Sequence, residues 1–339
     1  MSVRRISFEV TNACNLSCPH CLRDDATAKR YLKLEHLEKV LVQAKRYGTE
    51  IIILTGGEPL LHPQIEEMIA RIAYHGYRWY IVTNGTLLDR LGRLVGNPEY
   101  RKKMTHLSVS LDGATEETND SIRGPGHFRK VMKALSYAKA KGALLGFKMS
   151  INTANAGEME GIVRLAAKLG AAFVEFSHMT PTPELVRSKF MLPRSQWEKI
   201  DKELMRLKSI YRTELTMCTG GRCNLTFAQC YALGMQDLHF DFDGNLSACC
   251  MLPNYRGAGP DDKKDIAGNI GEHDLWDLHS RLIGILMGVN RAKIRKIKNN
   301  TLSEADHYPC IFCLKHFGKL DWIRQIDPQN EWISDIVDR

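Results

Sequence analysis

Up to about residue 215, short β-branched runs alternate with stretches whose apolar positions recur every three or four residues. Ile6 to Val10, Ile51 to Leu54, Trp79 to Thr83, Leu107 to Leu111, Phe147 to Ile151 and Phe173 to Phe176 read as strands of a buried parallel sheet. Between them, Leu37, Val40, Leu41 and Ala44 fall on one helical face, as do Ile65, Met68, Ile69 and Ile72. Val131, Ala134, Leu135 and Ala138 repeat the pattern, followed by Ile162, Val163 and Ala166. Roughly six such alternations predict parallel βα units, which suit an open doubly wound sheet or an incomplete barrel.

Trp197, Ile200, Leu204 and Leu207 predict one more helix, after which the rhythm stops. The pattern therefore divides the chain into residues 1–215 and 216–339. In the second region His239 to Phe242 and Leu246 to Ala248 flank Asp243-Gly244, a dipeptide that favours a tight hairpin turn. Leu275 to Leu286 reads as a helix and Gly257 to Asp265 as a polar loop. Arg291 to Lys298 is a basic run, expected to be a solvated helix face.

With 339 residues, 44% of them hydrophobic, the chain can bury one or two cores. The longest apolar stretch, Leu282 to Val289, is far short of the roughly twenty residues that span a bilayer. No apolar signal segment follows Arg4 and Arg5, so a cytoplasmic location is expected. A net charge of +8 is mild for this length and gives little reason to expect nucleic acid.

Ten cysteines in a reducing compartment point to metal rather than disulfides. Cys14, Cys18 and Cys21, spaced C-x3-C-x2-C, follow the first strand at the carboxyl edge where parallel α/β folds build their sites. Three thiolates can hold three corners of an iron–sulfur cluster, whereas structural zinc would recruit His20 as a fourth ligand. Gly56-Gly57-Glu58-Pro59 follows the second strand at the same edge. Its glycines allow close backbone approach, its glutamate can accept from an amine, and Pro59 suits the start of a helix.

The cysteine triplet and the Gly-Gly-Glu string together resemble the radical S-adenosylmethionine superfamily over about residues 5–215. The resemblance implies an α/β fold, a partial (β/α)6 TIM-like barrel. It also implies a [4Fe-4S] cluster on Cys14, Cys18 and Cys21 that binds S-adenosylmethionine, cleaves it reductively and yields a 5′-deoxyadenosyl radical that abstracts hydrogen from substrate. Gly57 and Glu58 would receive the amine of the cofactor, with Gly56 beside them in the cofactor-binding string. Ser110 and Asp112, with Arg123-Gly124 following, look like the segment that contacts its ribose, and Asn152 is similarly placed.

Cys230, thirteen residues, Gly244, four residues and Cys249 resemble the opening of the SPASM or twitch auxiliary-cluster extension. Ala267-Gly268-Asn269-Ile270, Leu275-Trp276-Asp277-Leu278 and Cys310-x2-Cys313 look like its later parts. Such an extension implies a small C-terminal cysteine-rich α+β domain in which Cys230, Cys249, Cys310 and Cys313 close one auxiliary [4Fe-4S] cluster. The absence of cysteine from Leu314 to Arg339 argues against a second one. A zinc site on the same four residues is the alternative. Alternation along a regular hairpin would let only one of Cys249 and Cys250 reach the cluster, and the spacing selects Cys249. Cys218, Cys223 and Cys250 stay unassigned, with Cys250 a candidate hydrogen donor.

The resemblance suggests modification of a ribosomal peptide or a protein side chain. The alternatives are dehydrogenation or epimerisation of a small molecule such as a sugar or aminocyclitol, and a zinc-stabilised nucleic-acid or protein binding module. Because the triplet begins at Cys14, no leader-binding domain is expected before the barrel, so a separate leader-peptide-binding protein would be needed. The electron donor would be a flavodoxin or ferredoxin.

Overall fold

The computed structural model describes residues 3–23, 28–219, 230–259 and 263–326. Cys223 and the side chain of Cys218 lie outside this description, as do residues 260–262 of the expected polar loop.

Among the described residues ten strands form one sheet: β1 (Arg5–Glu9), β2 (Ile51–Thr55), β3 (Arg78–Thr83), β4 (Met104–Ser110), β5 (Leu145–Ile151), β6 (Phe173–His178), β7 (Glu214–Thr219), β8 (Asp237–Phe240), β9 (Asn245–Ser247) and β10 (Ile266–Asn269). Their spatial order is β10-β9-β8-β1-β2-β3-β4-β5-β6-β7. Strands β1 to β7 are parallel neighbours in sequence order, and β7 does not return to β1. The sheet is therefore the open wall of a partial barrel, not a closed ring or a doubly wound sheet.

Side-chain alternation decides what each wall faces. Along β1, Ile6 and Phe8 are fully buried in the core, while Arg5, Ser7 and Glu9 point to the opposite face. Helices Leu34–Ala44, Ile65–Tyr74, His127–Ala140 and Met159–Leu169 bury the apolar faces that their spacing predicts.

Two arrangements differ from expectation. The seventh parallel strand, β7, runs through residues 215 and 216, where the domain boundary was expected. Its sequence, ELTMCT, alternates polar and apolar residues and lacks the continuous apolar run of the inner strands. The C-terminal region also does not start a separate sheet. β8 pairs in parallel with β1, Arg5 opposite Asp237 and Phe8 opposite Phe240, and β9 and β10 continue as an antiparallel meander.

The hairpin turn is longer than Asp243-Gly244. Residues 241–244 separate β8 from β9, because the Asp241 carboxylate accepts from the amides of Asp243 and Asn245 at 3.0 and 2.9 Å. Of the pair, only Gly244 takes a positive φ, +88°. Helix Leu275–Lys298 is twice the expected length and contains the whole basic run.

Candidate functional site

Cys14, Cys18 and Cys21 lie on the loop after β1, half-buried or exposed. The Cys21 amide donates to the Cys18 carbonyl at 3.0 Å, which curls the loop. The Gly-Gly-Glu string lies directly against this loop. The amides of Gly57 and Glu58 each donate at 2.7 Å, to the carbonyls of Thr11 and Ala13. A β-carbon on Gly56 would collide with the Thr11 carbonyl and one on Gly57 with that of Ala13. Both glycines are thus required for one loop to cross another, whatever binds later.

Glu58 is fully buried and caps the short turn Pro59–Leu61. Its carboxylate accepts from the Leu60 amide at 3.0 Å, the Thr83 hydroxyl at 2.7 Å and the Asn84 amide at 2.7 Å. Burial nevertheless raises its pKa to about 7. Asn84 in turn points its side-chain amide at Cys14 Sγ, 3.9 Å away, and donates to Asn15 at 2.9 Å. Glu58 therefore braces the ends of β2 and β3 around the cysteine loop.

Asp112, fully buried, accepts from the Ser150 amide at 2.8 Å. Its other oxygen lies 2.6 Å from Arg123 Nε and 3.4 Å from His20 Nε2. Burial would raise the Asp112 carboxyl, but Arg123 and His20 outweigh it and hold the group below the usual range. Arg123 also opposes the effect of burial on Cys18, whose thiol is pushed up to about 11. Protons must therefore leave when these thiols take up iron.

These placements show what each expected site residue contacts within the chain. His20, the fourth ligand of the zinc alternative, is turned to Asp112. Asp112 engages its carboxylate with Arg123 and the Ser150 amide. Asn152 is also fully buried, its side-chain oxygen accepting from the Ala154 amide at 2.8 Å, which is the turn-capping role. Ser110 ends β4, half-buried, opposite Lys148 of β5.

The second cysteine set converges. Cys230, Cys249, Cys310 and Cys313, from three separate chain segments, line one cavity whose other walls include Leu233, Leu252, Leu286, Leu314 and Phe317. Burial pushes the Cys313 thiol far above its ordinary value. Cys250 does not line this cavity. Its thiol is lowered by a hydrogen bond from Cys249, with help from His239 and Arg23 against the effect of burial. β9 ends at Ser247, so both cysteines sit beyond the regular strand, where strand alternation no longer decides which of them faces the cavity.

Both donor sets fit an iron–sulfur cluster: three thiols with a corner to spare on the first loop, four in an apolar cage at the second. Among the described residues no three His, Cys, Asp or Glu side chains gather closely enough for a single metal ion. A cubane gives each sulfur its own iron and does not require such convergence.

Between the two sets lies a buried network that the sequence did not mark. Arg23, two residues after Cys21, pairs with Glu9 and donates to the Cys250 carbonyl at 2.6 Å. His239 Nδ1 sits 2.7 Å from Ser7 Oγ, and its other nitrogen is 3.6 Å from Glu9. The available signal was the polar alternation Arg5, Ser7, Glu9 in the first strand.

Residues 8–166 match the family model described as Radical SAM superfamily. The AdoMet-dependent heme synthase of Methanosarcina barkeri is 31% identical over 53% of this chain and 51% of its own length. The mycofactocin maturase of Mycobacterium tuberculosis is 31% identical over 49% of this chain and 42% of its own. The chain thus spans about half the length of these curated relatives. Among solved structures, SuiB of Streptococcus suis bound to its precursor peptide SuiA superposes with a TM-score of 0.66. The overlap covers 84% of this chain and 66% of SuiB at 14% identity. The protein anSMEcpe, with bound AdoMet and a peptide, gives 0.63 over 82% of this chain and 80% of that one at 18% identity.

Proposed function

Because this chain belongs to the radical S-adenosylmethionine superfamily of enzymes, we propose that it modifies a peptide or protein side chain by hydrogen abstraction, assisted by one auxiliary [4Fe-4S] cluster. The family's cofactors are a [4Fe-4S] cluster and S-adenosylmethionine, which together supply a 5′-deoxyadenosyl radical when bound. Cys14, Cys18 and Cys21 would hold the first cluster, and Cys230, Cys249, Cys310 and Cys313 the second.

The observation that carries this reading is the single apolar cavity formed by the four distant cysteines. It is supported by the precursor peptide bound to SuiB and the peptide bound to anSMEcpe. The relatives named as heme synthases keep a small-molecule substrate as the alternative.

The chain's own residues prepare the site. Gly56 and Gly57 fix the crossing of the two loops, and Glu58, through Asn84, sets the orientation of Cys14. Arg123, ion-paired with Asp112, lies beside Cys18 and opposes the effect of burial on its thiol. We assign the cofactor's amine to the Gly57–Glu58 edge and its ribose to the Ser110 end of β4, with Asp112 and Asn152 as supports behind them. Cys250 is kept as a candidate hydrogen donor, and a flavodoxin-type or ferredoxin-type reductant is the partner that such chemistry requires.

The test is anaerobic reconstitution followed by incubation with reductant, S-adenosylmethionine and candidate precursor peptides encoded nearby. Deoxyadenosine release together with a mass change in a peptide is expected. Deoxyadenosine release with conversion only of a small molecule would overturn the peptide reading.

A further inference from the structure

Helix Leu275–Lys298 buries one stripe, formed by Leu275, Leu278, Leu282, Leu286 and Val289, and the stripe ends on a charged residue, Lys293. Lys293 is 9% exposed, follows Leu286 of the cysteine cavity by seven residues, and so lies on the same helix face two turns on. Its ammonium sits 5.5 Å from the centre of the Phe312 ring, between Ile311 and the ligand candidate Cys313. Phe312 and Cys313 are neighbours on helix Pro309–His316, and Cys313 lines the four-cysteine cavity, so Lys293 stands on the flank of that cavity.

The other half-buried cations nearby are accounted for. Lys296 and Lys315 flank the buried Asp306 at 3.2 and 3.4 Å. Lys293 has no carboxylate partner among the described residues. A buried cation facing an aromatic ring and neutral thiols is costly, since ring attraction offsets only part of its desolvation. Four thiolates around a metal centre carry the negative charge that would balance it.

We propose that Lys293 is the charge partner of the four-cysteine centre, a positioning residue that stabilises the loaded state and raises the reduction potential of the iron–sulfur cluster held there. The proposal rests on the reading of Cys230, Cys249, Cys310 and Cys313 as one metal centre. A fixed positive charge beside a cluster favours its reduced, more negative form, so the centre becomes a better electron acceptor. This is the property needed when a substrate radical gives up one electron to the oxidised auxiliary cluster and a proton to solvent, leaving an oxidised product. An epimerisation would not need it.

The experiment uses the full chain carrying Cys14→Ala, Cys18→Ala and Cys21→Ala, loaded with iron and sulfide, so that only the C-terminal centre is read. Failure of this chain to hold an iron–sulfur cluster would overturn the two-cluster reading itself. With a cluster present, redox titration followed by electron paramagnetic resonance should show a more negative midpoint in Lys293→Met and a nearly restored one in Lys293→Arg. The exposed Arg291→Met should not move it. Thermal unfolding adds a second readout. Lys293→Met should stabilise the metal-free chain by removing an uncompensated charge, and should lose that advantage once the centre is loaded. An unchanged midpoint, or equal destabilisation of metal-free and loaded chains, would overturn the proposal and leave Lys293 as a packing residue.

Discussion

Arg23 donates a hydrogen bond to the backbone carbonyl of Cys250, 2.6 Å away across 227 residues of sequence. This contact joins the first cysteine loop to the segment that carries Cys249, and the same guanidinium neutralises the buried Glu9. Burial alone would raise the Glu9 carboxyl; Arg23 and His239 outweigh it and hold it below its ordinary value.

Arg23→Gln should therefore strand a buried carboxylate and cost about 3–5 kcal/mol. The sign of the pH dependence follows. A depressed folded pKa gives stability that is present above the ordinary carboxyl pKa and lost as pH falls through the folded value. The wild-type chain should lose part of its stability on acidification below about pH 4, and the variant should show a shallower loss. Denaturant melts at several pH values check this, and parallel slopes would contradict it.

Glu58 has the opposite sign, because burial raises its folded pKa to about 7 from an ordinary 4.5. Its contribution is complete below the ordinary value and declines as pH rises through the folded one. In Glu58→Gln the new amide N–H₂ must face a donor, the amide of Leu60 or Asn84, at a cost of about 1–3 kcal/mol. The wild type should exceed the variant most at pH 5 and least at pH 8. Calorimetric titration should show weaker S-adenosylmethionine binding in the variant with iron content retained. Unchanged affinity would leave Glu58 as a brace only.

Cys249→Ala should remove about half of roughly eight irons per chain, while Cys250→Ala keeps them, since only the former lines the four-thiol cavity. Iron and sulfide analysis decides it. If Cys250→Ala still releases deoxyadenosine but forms no product, Cys250 is a hydrogen donor; full product formation removes that role.

Gly57→Ala should destabilise the chain by about 1–3 kcal/mol and impair loading of the first cluster, because the added methyl meets the Ala13 carbonyl. Gly157→Ala, where a β-carbon meets open space, is the matched control. Equal melting temperatures for the two variants would refute the loop-crossing argument.

What could be read from the sequence follows from the range of the interactions concerned. Strands β1 to β6 were legible because apolar runs are local, and the four ligand candidates because cysteine is rare enough for spacing to identify. β7 was hidden by its polar alternation. The pairing of β1 with β8 has no local trace, since the partners are 232 residues apart. Lys293 was read as solvated because charge runs usually are; its position seven residues beyond Leu286 was the counter-signal. The burial of Glu58, Asp112 and Asn152 emerges only once the loops are folded over them.

The β1–β8 pairing also sets an order of events during synthesis. Strand β1 lacks its β8 neighbour until residues 237–240 leave the ribosome, long after its other neighbour β2 has been made. Non-local pairings of this kind form slowly, and an open edge invites association with other chains. The segment bearing the second cysteine set thus has a protective duty unconnected with metal: it shields the edge of β1, so interruptions between β2 and residue 237 should yield aggregates rather than an independently folded barrel.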